Sequence, residues 1–413
     1  MTSQAPVWIS LVVGAFTFGV SLVAMLVARR TLEPAFAVVA LAGFAGAAWA
    51  FGELSIAYDS FDIMLWGLGF AVATFAGGYA LASTLLASLA LHPSPLEPPV
   101  ELPVDTGMAA LVVVGDVDPE EYDERSTATD LDRLSDEGLL EVSIAILPFL
   151  FFAQKARYRA IGGSSPATRQ LRSIADHVGA ALISSPIDRV EAGRLDAPHD
   201  LAGQVLSLAL AGYRTICVVE AMVASPLELD EAKRRVDTLR LSDLGVRVSY
   251  ADALWSAERV ATLVASRIMA VADELSRTGV VLVGLGQPEE RARVIRSFDE
   301  HETAFLNRVR MLLLERGLSE TFVRLAWADW HTPDVTGAVR HLAALGCERL
   351  VVMPACFPVD TVETLLDLPL SVRQARVDDS VSIITLSAWS EDPGLVEELR
   401  SRALHVLGAP VAD

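Results

Sequence analysis

Lysine is nearly absent from this chain. Of 33 basic residues only Lys155 and Lys233 are lysine, the rest are arginine, and 53 acidic residues oppose them for a net charge of −20. A surface of that sign repels nucleic acid, and no basic stripe interrupts it, so a nucleic-acid partner is excluded. Acid excess with so little lysine reads as adaptation to high ionic strength, where salt screens the self-repulsion. Cysteine is equally sparse. Cys217, Cys347 and Cys356 show no CxxC spacing, which implies no disulfide framework, and Cys217 and Cys347 read as core thiols. The N-terminus lacks the basic n-region of a signal peptide.

What the chain has in excess is apolar sequence, 52 % of its residues, concentrated in the first 91. Three uncharged runs, Val7–Ala28, Pro34–Gly52 and Ile63–Leu91, are each long enough to cross a hydrocarbon core of about 30 Å. Trp8, Trp49 and Trp66 fall near their ends, as interfacial anchors do. The first link carries Arg29 and Arg30, whereas the second carries Glu53, Asp59 and Asp62. The positive-inside rule then sets the N-terminus outside and everything after Leu91 in the cytoplasm of a multi-pass cell-membrane protein. The runs contain no acid, base or histidine, so they suit an anchor better than a transport path or a sensor. A linker with five prolines follows over His92–Asp105.

Beyond the linker, β-branched runs alternate with amphipathic stretches, the pattern of parallel sheets covered by helices. Strands are expected at Ala110–Gly115, Ala180–Ser184, Thr215–Val219 and Val246–Tyr250, then at Val280–Val283, Phe322–Ala326, Arg349–Met353 and Val381–Leu386. Helices are expected between them, among them Pro166–Val178, Glu289–Arg316 and Val359–Leu366. The stretch Leu210–Ala221 echoes Ala344–Ala355, each a helix end, a glycine, a buried strand and a turn, which points to duplication. The expected organisation is a three-helix anchor over 1–91, a linker over 92–107, and two α/β domains over 108–276 and 277–413, with a ligand cleft between the copies.

One carboxylate falls in an apolar context at a strand-to-helix turn: Glu363, within PACFPVDTVETL (Pro354–Leu365). It reads either as a first-turn residue favoured by the helix dipole or as a catalytic group, since open α/β sheets bind ligands at such turns.

The segment PACFPVDTVETL resembles the C-terminal signature of the ferrochelatase family, Pro-x-x-Phe-x-x-Asp-x-x-Glu, with Pro354, Phe357, Asp360 and Glu363 at the matching places. RYRAIGGSSP (Arg157–Pro166) is similar to that family's Tyr-Arg-x-Ile-Gly-Gly-x-Ser-Pro segment, and Trp327–Gly346 gives a looser match. The resemblance runs from about Met108 onward and identifies the chain as a membrane-anchored, divergent member of these class II tetrapyrrole chelatases. It implies two Rossmann-like, chelatase-type parallel-sheet domains closing on a porphyrin-type tetrapyrrole. A divalent metal, Fe2+ above all, would enter that ring as a substrate, with no permanently bound cofactor, as in haem biosynthesis. Two pyrrole N–H protons must leave and the metal must shed water, which calls for a base and an open ligand. On this resemblance Glu363 is the catalytic acid/base and metal-delivery group. Tyr158, Arg159, Gly162, Gly163, Ser165, Pro166 and Phe357 contact the macrocycle. Arg159 would meet a propionate, unless it is an ordinary surface arginine.

Three positions depart from the family pattern. Leu285, in Val283–Pro288, stands where the family carries a histidine; Thr361 replaces a second histidine; Asp116 replaces an iron-facing tyrosine. His331 is the substitute metal ligand unless it is a solvent-facing loop residue. The expected function is therefore tetrapyrrole metal insertion. The alternative is a catalytically degenerate, membrane-tethered haem- or porphyrin-binding or regulatory protein. The expected partners are the tetrapyrrole, the bilayer through residues 7–91, and membrane haem proteins.

Overall fold

The computed structural model describes residues 5–58, 60–90, 96–195 and 201–408. Asp59 of the second link, the end of the third run at Leu91 and the first linker residues 92–95 lie outside the described residues. The chain divides into two compact units, Met1–His92 with Glu121–Gly163, and Pro93–Glu120 with Ser164–Asp413.

In the first unit, α1 (Ala5–Val27), α2 (Glu33–Ala57) and α3 (Phe61–Ala87) are long and apolar enough to cross a membrane. Small residues on such helices allow the close packing that apolar helices need in lipid. Gly14 and Gly43 let α1 and α2 touch backbone to backbone, and Gly78 of α3 sits against the Phe16 carbonyl. Two further helices belong here, α4 (Glu124–Asp136), capped by the Asp123 carboxylate on the Ser126 N–H at 2.9 Å, and α5 (Leu147–Ala160). Sequence patterning left 121–163 in the first α/β domain without assigned elements. The structure groups it with the apolar helices, because α5 packs on α1 and α3.

The second unit carries the α/β architecture that the alternating pattern implies. Its first half contains β1 (Ala109–Gly115), α6 (Ala167–Ala181), β2 (Ile187–Arg194), α7 (Leu201–Leu210), β3 (Thr215–Glu220), α8 (Leu227–Thr238), β4 (Arg247–Tyr250) and α9 (Glu258–Met269). The second half contains β5 (Thr278–Gly284), α10 (Glu289–Val294), α11 (Ser297–Glu315), β6 (Val323–Trp327), α12 (Val335–Ala344), β7 (Arg349–Met353), α13 (Leu368–Gln374), β8 (Ser382–Thr385) and α14 (Pro393–Leu407). The sheets run β2-β1-β3-β4 and β6-β5-β7-β8 with every pairing parallel, so the two halves share one permutation. The echo between Leu210–Ala221 and Ala344–Ala355 falls on β3 and β7, which occupy equivalent places in that order.

Alternation along the central strands sorts the core. Leu111, Val113, Val280 and Leu282 face one shared cluster with Phe305 and Leu399, while Val112 and Val281 face the separate outer layers of their own sheets. The two halves therefore share a core, and α14 at the chain's end packs back against α6, β3 and α9 of the first half.

Three local expectations change. The apolar stretch at Ala180–Ser184 is the end of α6 and a turn, and the strand is Ile187–Arg194. As an edge strand, β2 leaves Asp188 and Arg189 exposed and so lacks the continuous apolar run of a central strand. The expected helix Glu289–Arg316 breaks at Ile295 into α10 and α11. The helix expected from Val359 begins only at Val362, and its first turn over Glu363–Asp367 is a wide π turn, a feature frequent at functional sites.

Candidate functional site

Pro354–Leu365 leaves the C-terminal end of β7, beside the end of β5, where the Ala355 N–H donates to the Val283 carbonyl at 2.9 Å. The turn and bend before the helix are held in place by side chains. Asp360 is buried, and its Oδ1 accepts from the Ala388 N–H at 2.8 Å. Gln170 on α6 closes a reciprocal pair with it: Gln170 Nε2 donates to Asp360 Oδ2 at 3.2 Å, and Gln170 Oε1 accepts from the Asp360 N–H at 2.6 Å. Two residues on, the Val362 N–H donates to Asp118 Oδ2 at 2.7 Å, and the Ser165 hydroxyl donates to the same oxygen at 3.1 Å. Asp118 follows β1. The turn that presents Glu363 is thus bonded to the strand-end loop of one sheet while growing from a strand of the other. Glu363 itself is half-buried.

That geometry exposes a second internal echo. Val112-Val113-Val114-Gly115-Asp116-Val117-Asp118-Pro119-Glu120 parallels Val281-Leu282-Val283-Gly284-Leu285-Gly286-Gln287-Pro288-Glu289. β1 and β5 hold the same place in their sheets, so Asp116 and Leu285 are counterparts. Asp116 is exposed at its strand end, whereas Leu285 packs against the outer core of the second sheet.

The Leu285 turn is fixed from below by Glu302 of α11. This carboxylate is only 2 % exposed and accepts from the N–H groups of Leu285 and Gly286, both at 2.9 Å. Burial pushes its pKa up despite those donors, and the Cys356 thiol, which also bonds to it, is pushed well up by burial and by that carboxylate. Gly286 has φ +81°, and a Cβ there would lie 2.4 Å from the Asp329 carbonyl, so the turn accepts only glycine. Glu302 ties the β5 turn to the first residues of the signature. Sequence reasoning passed over it, although a lone glutamate on the apolar face of a long helix was the available signal.

His331 lies in the loop after β6. The Ala328 and Asp329 N–H groups donate to the Gly284 and Leu285 carbonyls at 2.9 and 3.2 Å, which sets this loop beside the Leu285 turn. His331 Nε2 is 2.9 Å from Asp299 Oδ1, whose other oxygen accepts from Gln287 Nε2 at 3.2 Å, and the ring stands edge-on to Trp327. Among the described residues no group of three or more His, Cys, Asp and Glu side chains is arranged to hold a metal ion.

The Arg157–Pro166 segment straddles the boundary between the units. Tyr158 and Arg159 form the last turn of α5, which Gly162 and Gly163 close at φ +94° and +96°. All four line a cavity of about 600 Å³ in the first unit, with Arg29, Arg30, Tyr122 and Lys155. Tyr158 is buried edge-on to Tyr122, and Arg159 is ion-paired with Glu33. Ser165 and Pro166 lie in the second unit, where Ser165 bonds Asp118 and Pro166 precedes α6. Phe357 is 6 % exposed within the outer core of the second sheet, packed with Leu285 and Val283.

No protein-family model and no curated protein matches this sequence. Among solved structures, the chain is similar to SirB from Bacillus subtilis with Fe3+, at 14% identity and TM-score 0.47, over 73% of this chain and 98% of that one. It is also similar to the sirohydrochlorin chelatase SirB of Bacillus subtilis subspecies spizizenii in complex with cobalt, at 12% identity and TM-score 0.44, over 73% and 97%. A multi-domain Deinococcus radiodurans protein with structural similarity to chelatases gives 14% identity and TM-score 0.46, over 72% of this chain and 55% of that one.

Proposed function

We propose that the chain is a membrane-anchored tetrapyrrole chelatase that inserts a divalent metal, with Glu363 as its acid/base group. The observation that carries this reading is the Val362–Asp118 bond at 2.7 Å. It ties the signature turn to the end of β1 and so holds Glu363 at the C-terminal ends of the central strands of both sheets. Open α/β sheets bind ligands there. Fe2+ and a porphyrin are the substrates that the sequence resemblance favours, and the soluble part would face the cytoplasm by the arginine bias of the first link. Tyr158, Arg159, Gly162 and Gly163 are proposed as carboxylate-binding residues of the first unit, where a propionate would compete with Glu33 for the Arg159 guanidinium.

The reaction exchanges two pyrrole protons for one divalent cation. Glu363 would accept the protons in succession, handing each to solvent, and offer a carboxylate oxygen to the arriving metal. Asp116 at the end of β1 and His331 after β6 would each be a separate, single donor, since no three such side chains converge among the described residues. The Asp299 carboxylate fixes the ring of His331.

The test is anaerobic incubation of the full chain in detergent with a porphyrin, or with sirohydrochlorin, and Fe2+ or Co2+, followed by visible spectroscopy. Metallation should appear and should fall by about 10²–10⁴-fold in Glu363→Ala. A second reading, binding without turnover, is favoured by the packed Leu285 and by the absence of a three-ligand cluster among the described residues. Tight tetrapyrrole binding with no metallation in any combination would establish it and end the enzyme reading.

A further inference from the structure

The first unit holds an apolar stretch that the three long helices do not account for. Val142–Ala153 contains no charged residue, is preceded by Glu141 and is followed after Gln154 by Lys155, Arg157 and Arg159. At twelve residues it is too short to span a bilayer. Its large side chains are nonetheless left outside: Ile144 is 49 % exposed, Ile146 54 %, Phe149 54 % and Phe152 39 %. Four such residues on one short element mark a surface with an apolar partner.

Its depth beside the long helices can be read twice. At the lower end, the Tyr79 hydroxyl donates to the Ala145 carbonyl at 2.8 Å. Tyr79 lies eight residues before the end of α3 at Ala87, about 12 Å along the helix. At the upper end, Lys155 is buried and its ammonium donates to the carbonyls of Met25 and Ala28, at 2.8 and 3.2 Å, at the end of α1. The eight residues from Leu147 to Lys155 again span about 12 Å. The two readings agree. The chain also arrives at that end, because Arg29 pairs with Asp123 and Glu124 at the start of α4. Segment 121–163 thus begins and ends level with the end of α1 and meets α3 at Ala145 between, in a turn bonded in place, the Ile146 and Leu147 N–H groups donating to the Ser143 carbonyl at 2.9 and 3.1 Å.

We propose that Val142–Ala153 is a re-entrant half-span, inserted into the leaflet in which α1 ends, with lipid acyl chains as the occupant of its exposed face. The inference rests on α1–α3 crossing a bilayer. The lipid choice follows from continuity: α5 packs on α1 and α3, and the exposed side chains over about the last 12 Å of α3, Leu81 at 50 % and Leu85 at 59 %, are apolar. Lys155 and Arg159 then stand at the phosphate layer, where basic side chains belong. The cavity lined by Arg29, Lys155, Tyr158 and Arg159 opens at that layer.

Cysteine-directed spin labels test the placement in the full chain, reconstituted in phosphatidylcholine vesicles; the native Cys217, Cys347 and Cys356 are buried and stay unlabelled. A label at Phe149→Cys should collide with dissolved oxygen and lose access to a water-soluble nickel chelate, as a label at Leu41→Cys in α2 does. A label at Val294→Cys, 69 % exposed in the second unit, reports full nickel access. Nickel access at Phe149 equal to that at Val294, with Leu41 protected, overturns the half-span alone. Nickel access at Leu41 as well overturns the membrane crossing beneath it. Spin–spin broadening at Phe149 with loss of access to both reagents would show a second copy in place of lipid, and also overturns the proposal.

Discussion

Replacing Glu302 by glutamine changes one buried oxygen into an NH2 group and tests how the β5 turn is held. The wild-type carboxyl serves two donors, the Leu285 and Gly286 N–H groups at 2.9 Å, and the Cys356 thiol. An amide has one acceptor oxygen, so one backbone N–H must face an NH2 group in a site that is 2 % exposed. An orphaned buried donor costs about 1–3 kcal/mol. Opposing this, burial raises the Glu302 pKa above its ordinary value, so the folded state holds the proton longer than the unfolded chain. Stability is then full below the unfolded value of 4.5 and declines as pH rises toward the raised folded value, by about 1.4 kcal/mol for each unit that separates the two. Glutamine does not titrate and escapes this decline. Glu220, also raised by burial, contributes the same slope to both proteins and cancels in the difference.

Glu302→Gln should therefore be least stable relative to wild type near pH 5, with a melting temperature lower by about 2–12 °C. The gap should narrow by pH 8. Thermal scans of the full chain in detergent, followed by tryptophan fluorescence, measure both. A gap that stays constant or widens with pH would refute the claim that desolvation dominates at Glu302.

Other perturbations probe the site from different sides. Gly286→Ala should destabilise the fold by more than about 1–3 kcal/mol, since strain at positive φ adds to a 2.4 Å clash with the Asp329 carbonyl; a melting curve like wild type would contradict the turn geometry. Gln170→Ala should cost about 1–3 kcal/mol by orphaning the buried Asp360 N–H, read by denaturant unfolding. Glu363→Ala, in a half-buried position on a π turn, should slow metallation by about 10²–10⁴-fold with tetrapyrrole affinity kept; unchanged metallation would remove Glu363 from the chemistry. His331→Ala should cost metal affinity more than tetrapyrrole affinity if the ring is a donor, and equal loss of both would make it a packing partner of Trp327 and Asp299.

The three long helices, seven of the eight strands and the duplication were legible in the chain, because apolar and β-branched runs mark them. The edge strand β2 was displaced because Asp188, Arg189 and Glu191 interrupt any such run. Segment 121–163 failed differently: its apolar run is too short for a span and too irregular for a strand, so only its contacts with α1 and α3 reveal where it belongs. The signature's residue types pointed to Glu363. What holds that glutamate in place was invisible, since Asp118, Gln170 and Asp360 meet across separations of up to 244 residues. Sequence by itself determined most of the elements and their alternation, which are matters of local composition. Tertiary structure alone decided that a buried carboxylate clamps the Leu285 turn, that the two halves share one core, and that the Gly-Gly segment faces a cavity in the unit of the three long apolar helices. Each of these depends on which distant groups become neighbours, and no local pattern in a chain encodes that.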